Sequence, residues 1–123
     1  MEIKSHKDLI VWQKGILLCK SVYKIIDKFP KEEAYGLSSQ MRRAVVSIPS
    51  NIAEGRSRGT RKDFAQFLRI ALGSASELET QIEIARVLSY INTQEARVLD
   101  EQLSEVSRMI MGLLKKFSIK TNT

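Results

Sequence analysis

Histidine and cysteine are almost missing from this chain of 123 residues, which holds one of each, His6 and Cys19. A single cysteine excludes an intrachain disulfide and fits a reducing compartment. One histidine and one cysteine cannot form a His/Cys metal cluster, and the Glu-x-x-His pairs of di-metal bundles are absent. No Ser/His/Asp arrangement is credible, and the glycine-flanked "GRSRG" at 55–59 lacks the spacing of a phosphate-binding loop. The sequence therefore points away from an enzyme and offers no cofactor or metal site. Proline is equally scarce, with only Pro30 and Pro49, and no run of alternating β-branched residues occurs. These absences favour helix over strand. No apolar stretch approaches the roughly 20 residues that span a bilayer. The polar, charged start "MEIKSHKDLIVWQKG" is not that of a secretory signal. A cytoplasmic protein is the expectation.

What is present is globular in balance: 43% hydrophobic and 28% charged residues. The length suits one domain, residues 1–123, with a real core. The net charge is +6, which favours anionic partners such as nucleic acid without demanding them.

Spacing by threes and fours marks four helices, at about 6–28, 38–57, 61–90 and 93–117. In the first, the stripe is Leu9, Trp12, Ile16, Cys19, Tyr23 and Ile26, with Ser5 as N-cap. Phe29-Pro30 ends it. The second starts at a Ser38 or Ser39 cap and carries Met41, Ala44, Val45, Ile48 and Ile52. Thr60 with Asp63 opens the third, whose stripe is Phe64, Leu68, Ala71, Ala75, Leu78, Ile82 and Ala85. Asn92 with Glu95 opens the fourth, with Ala96, Leu99, Leu103, Val106, Ile110, Leu113 and Phe117. Four such stripes on short connections predict an all-α, antiparallel up-down-up-down four-helix bundle. Apolar residues off the stripes (Ile10, Leu17, Leu18, Val22, Phe67, Leu72, Leu88, Met109 and Leu114) suggest a second, intersubunit face and hence a homo-oligomer, with a wide single core and scattered exposed apolar residues as the alternative. Gly73, inside the third helix, is expected to admit a neighbouring helix.

The segment "RRAVVSIPSNIAEG" at 42–55 is the unusual one. On a helical wheel its apolar residues span about 100° of arc. Gln40, Arg43, Ser47, Ser50, Asn51 and Glu54 form a separate stripe centred about 130° away. Short hydroxyl and amide side chains are indifferent helix formers. Gln40, Arg43, Ser47, Asn51 and Glu54 thus read as a structural polar network or subunit contact, with a solvated face and direct ligand contact as the other readings. Pro49 removes one backbone hydrogen bond and crowds the Val45 carbonyl, so a kink is expected, with Ser47 and Ser50 near the freed groups.

Cations crowd the same region. Arg42, Arg56, Arg58, Arg61 and Lys62, with Arg43 beside them, are accompanied only by Glu54 and Asp63. Cations suit a helix C-terminus, but Arg61 and Lys62 stand at a helix start, where the dipole disfavours them. Arg42, Arg56, Arg58, Arg61 and Lys62 are the candidate phosphate contacts; six phosphates would give a log-log salt slope of about −5. No aromatic residue interleaves the cluster in sequence, which argues against recognition of single-stranded bases. Trp12 and Tyr23 fit packing better than base stacking.

"LIVWQKG", "FPKEEAYGLSSQMRRAVVSIPSNIAEG", "FLRIALGSASELETQ" and "ARVLSYI" resemble, in order along nearly the whole chain, the family of proteins encoded in intervening sequences of 23S ribosomal RNA. The resemblance implies a single-domain four-helix bundle and a ring-like homo-oligomer, most often a pentamer. A related branch, the accessory proteins of diversity-generating retroelements, forms a basic pentameric barrel that binds nucleic acid and a reverse transcriptase. Two functions follow as expectations. One is a non-enzymatic module binding RNA or DNA through basic surfaces. The other is a scaffold that recruits a partner enzyme such as a reverse transcriptase.

Overall fold

The computed structural model describes residues 5–118. Four helices carry the fold: α1 (Ile10–Ile26), α2 (Leu37–Ser57), α3 (Arg61–Val87) and α4 (Thr93–Phe117), with short 3-10 turns at His6–Asp8 and Lys31–Glu33. There is no strand among the described residues. Each helix packs on its sequence neighbours, and α4 closes back on α1. Residue numbers rise along one helix as they fall along the next. Gly15 meets Pro49 while Cys19 meets Val45, and Ser47 meets Ser74 while Gly55 meets Phe67.

The stripes of α2 and α3 form the centre of the core. Met41, Val45, Ile48, Ile52, Leu68, Leu78 and Ile82 are fully buried, joined by Leu99, Leu103, Val106 and Ile110 of α4. Two helix starts follow their capping signals. Thr60 Oγ1 accepts the Asp63 N–H at 3.1 Å. Asn92 and Glu95 form a reciprocal capping box, with bonds of 2.7 and 2.9 Å. The other two starts differ from expectation. Ser5 accepts the Lys7 N–H and so caps the 3-10 turn, while extended Leu9 precedes α1. For α2, neither Ser38 nor Ser39 caps. Glu33 reaches forward from the preceding turn and accepts the Leu37 N–H at 3.0 Å, and Ser38 is buried.

The face of α1 is the main correction. Its core line is Val11, Gly15, Leu18, Val22 and Ile26. Trp12 and Cys19 are half-buried, and Ile16 and Tyr23 are each 43% exposed. This helix is apolar around most of its circumference, so periodicity offers two interleaved stripes and local spacing cannot choose. Tertiary packing chooses: Gly15 faces Pro49 of α2, whose Cβ would lie 3.4 Å from a Cβ at position 15.

Pro49 is buried, and α2 runs through it unbroken. Proline has no N–H for the carbonyl four residues back. That carbonyl, of Val45, accepts instead from the Cys19 thiol at 3.4 Å. A residue of α1, rather than Ser47 or Ser50, thus answers the freed group. Burial pushes the Cys19 thiol up to about 11, so it stays protonated and remains a donor at neutral pH.

The informative glycines are also not the expected ones. A Cβ on Gly73 would meet nothing within 4 Å, whereas one on Gly55 would lie 2.6 Å from the Phe67 Cβ. Only glycine at 55 lets α2 and α3 converge. Gly59, at φ +84°, occupies the left-handed region that ends α2 and turns the chain into α3.

Candidate nucleic-acid interface

The convergence at Gly55 places the end of α2 beside the start of α3, joined by residues 58–60. The end of α4 reaches the same place: Arg61 donates Nη2–H to the Lys116 carbonyl at 2.6 Å, and the Phe64 and Phe117 rings meet edge-to-face at 5.0 Å. Arg56, Arg58, Arg61 and Lys62 are therefore joined by Lys115 and Lys116, two cations more than 50 positions away along the chain. Arg42 is separated from them. It lies near the other end of α2, where its Nη2 donates to the Ala34 carbonyl at 3.0 Å. Sixteen residues of helix set it roughly 24 Å from Arg58.

Positive charge at the start of α3 is unfavourable to that helix's own dipole. Arg61 resolves this by bonding a terminal carbonyl of α4, whose C-terminal dipole attracts it. Arg58 is held by Glu54, Nε to Oε2 at 2.9 Å, four residues back on α2. Both arginines also lie on aromatic rings, Arg58 5.1 Å above the Phe67 centroid and Arg61 5.0 Å above that of Phe117. The Lys116 ammonium lies 5.5 Å from the Phe117 centroid. The cluster therefore does contain aromatics. They come from positions 67 and 117, brought by the helix turn and by α4. The single legible sign was the place of Phe117 at the end of the α4 stripe.

The polar stripe of α2 divides. Ser47 Oγ lies 2.8 Å from Ser74 Oγ of α3, and Asn51 Nδ2 donates to both the carbonyl and Oγ of Ser47 at 2.8 Å. These three form a short seam between α2 and α3. Gln40 and Arg43 line a groove of about 670 Å³ beside it, together with Glu77. Glu54 belongs instead to the arginine end. Glu83 pairs with Arg86 of its own helix at 2.7 Å. Among the described residues, no group of three His, Cys, Asp or Glu side chains could hold a metal ion, and no helix is long and apolar enough to cross a membrane.

The family profile of 23S rRNA-intervening sequence proteins matches residues 7–112. The chain belongs to that family. A family fold is also shared with a solved structure: a protein of unknown function from the S23 ribosomal protein family of Bacteroides thetaiotaomicron VPI-5482. The two are 25% identical, with a TM-score of 0.78 over 86% of this chain and 99% of that one. No curated protein matches the sequence. Within this 23S rRNA-intervening sequence protein, both the seam and the arginine end fall inside the matched span, and the two lysines of α4 lie beyond it.

Proposed function

We propose that this protein is a non-enzymatic, homo-oligomeric module that binds RNA or DNA through the arginine end of its bundle. One observation carries the reading: six cations from three helix termini, Arg56, Arg58, Arg61, Lys62, Lys115 and Lys116, share one end with Glu54 and Asp63. Phosphates would neutralise them, with salt-sensitive and weakly sequence-specific binding. The oligomer, a pentamer by family resemblance, is supported by exposed apolar side chains. Ile10 and Leu17 on α1 are each 59% exposed, and Val87 and Leu88 stand out beyond α3. Repetition around a ring would multiply a weak phosphate contact into avidity. The lone, half-buried Cys19 suits a cytoplasmic setting.

Gel shifts at low salt with RNA, single-stranded DNA and duplex test the binding. No shift with any of them sinks it. Light scattering in parallel measures the assembly, and a monomer mass removes the ring. The same exposed apolar residues favour a second reading, a scaffold that recruits a partner enzyme such as a reverse transcriptase. Nuclease-resistant co-purification of one specific protein, with no binding to nucleic acid, would support that reading over the first.

A further inference from the structure

The arginine end is built for more than charge. Arg58 and Arg61 flank the turn between α2 and α3. Each guanidinium lies over a phenyl ring and is tied by a hydrogen bond at its edge, Arg58 to the Glu54 carboxylate and Arg61 to the Lys116 carbonyl. Ring and hydrogen bond together hold each group in place. Much of the rotamer entropy that a long side chain gives up on binding is therefore lost already in the free protein. Both residues remain exposed to solvent. Phe117 is itself braced by the core residue Phe64.

A phosphate needs only positive charge, and a lysine supplies that as a point. A fixed, exposed guanidinium plane adds a flat surface on which an unpaired nucleobase can stack. Bases inside a duplex already stack on their neighbours and cannot use it. We propose that Arg58 and Arg61, held on Phe67 and Phe117, are stacking platforms that make this end selective for single-stranded nucleic acid. Lys62 and Lys115 neutralise the adjoining phosphates. This rests on the nucleic-acid reading above, and the test separates the two.

Fluorescence anisotropy at low salt compares three probes with equal phosphate counts: a mixed-sequence single strand, a duplex of half its length, and an abasic strand lacking bases. The protein is used as purified, alongside Arg58→Lys and Arg61→Lys, which keep the charge and lose the plane. Each variant is matched to the parent by circular dichroism and melting temperature. The single strand should bind at least about fivefold more tightly than the abasic strand, the lower end of per-base stacking. Each lysine variant should weaken the single strand by a similar factor and the abasic strand by clearly less, so that the ratio between the two falls. Equal affinity for single and abasic strands would overturn the stacking proposal, as would a preference for duplex or equal losses on both strands. Phosphate binding would then still stand. No binding of any probe at low salt would remove both.

Discussion

The two ends of the bundle carry comparable numbers of cations, yet they use them differently. At the end formed by the starts of α2 and α4, carboxylates are interleaved with the cations and have structural partners. Glu33 caps α2 and accepts the Tyr90 hydroxyl at 2.8 Å. Glu95 caps α4 and pairs with Lys28 at 3.0 Å. Glu83 holds Arg86. At the opposite end, Glu54 and Asp63 are the acids near six cations, and the arginines rest on rings and on a helix-end carbonyl. The net charge of +6 therefore describes neither region. One end is close to balanced; the other carries the surplus, because acids are drawn to helix starts whose N–H groups they satisfy.

The sharpest way to break this contrast is to pry the arginine end apart. Gly55→Ala puts a Cβ against the rigid Phe64 and Phe67, and should lose about 1–3 kcal/mol in urea denaturation. Gly36→Ala at the mixed end displaces the tip of Glu33 and with it one cap hydrogen bond, worth about 1 kcal/mol, and should lose less. Equal losses would mean that the two ends are packed alike.

Charge reversal gives the next largest effect. Arg61→Glu with Lys62→Glu should weaken nucleic-acid binding about tenfold or more and flatten the log-log salt slope by roughly 2. Lys28→Glu with Lys31→Glu should leave both within about twofold. If the second pair matters as much as the first, the arginine end is not the interface.

Acid should loosen the mixed end first. The Leu37 N–H and the Tyr90 hydroxyl hold the Glu33 carboxyl below its ordinary value, and the Asn92 N–H and Lys28 do the same for Glu95. A depressed carboxylate contributes stability above its unfolded value, near 4.3, that is lost as pH falls through the folded one. Melting temperature should therefore drop between about pH 5 and 3, and Glu33→Gln or Glu95→Gln should flatten that drop. An unchanged profile in both variants would contradict the capping role. Smallest of all, Gly73→Ala should stabilise α3 by up to about 1 kcal/mol, since a Cβ there meets none of the described residues within 4 Å. A loss of stability or of assembly mass instead would reveal another copy packed there.

Much of this architecture is legible along the chain. The faces of α2, α3 and α4 follow from period and composition, as do the caps at Thr60 and Asn92, because each involves residues within a turn or two of one another. The face of α1 is not legible. A helix apolar on several sides specifies no single stripe, and the decision rests on Gly15 meeting a proline 34 positions away. Glu33 as the cap of α2 was hidden for a related reason: serines stood closer to the helix start, but the 3-10 turn aims the glutamate there. At the candidate site, Arg56, Arg58, Arg61 and Lys62 are visible as a run, while Lys115, Lys116, Phe67 and Phe117 are not.

By itself, then, the sequence determined four amphipathic helices, where two of them begin, and an arginine-rich turn between the second and third. Those depend on spacing and local hydrogen bonding, which adjacent residues settle among themselves. Only the tertiary structure decided which side of α1 is inside, how the carbonyl freed by Pro49 finds the Cys19 thiol, and that Arg58 and Arg61 lie over phenyl rings. Each of those depends on contacts between different helices, which local spacing and hydrogen bonding do not specify.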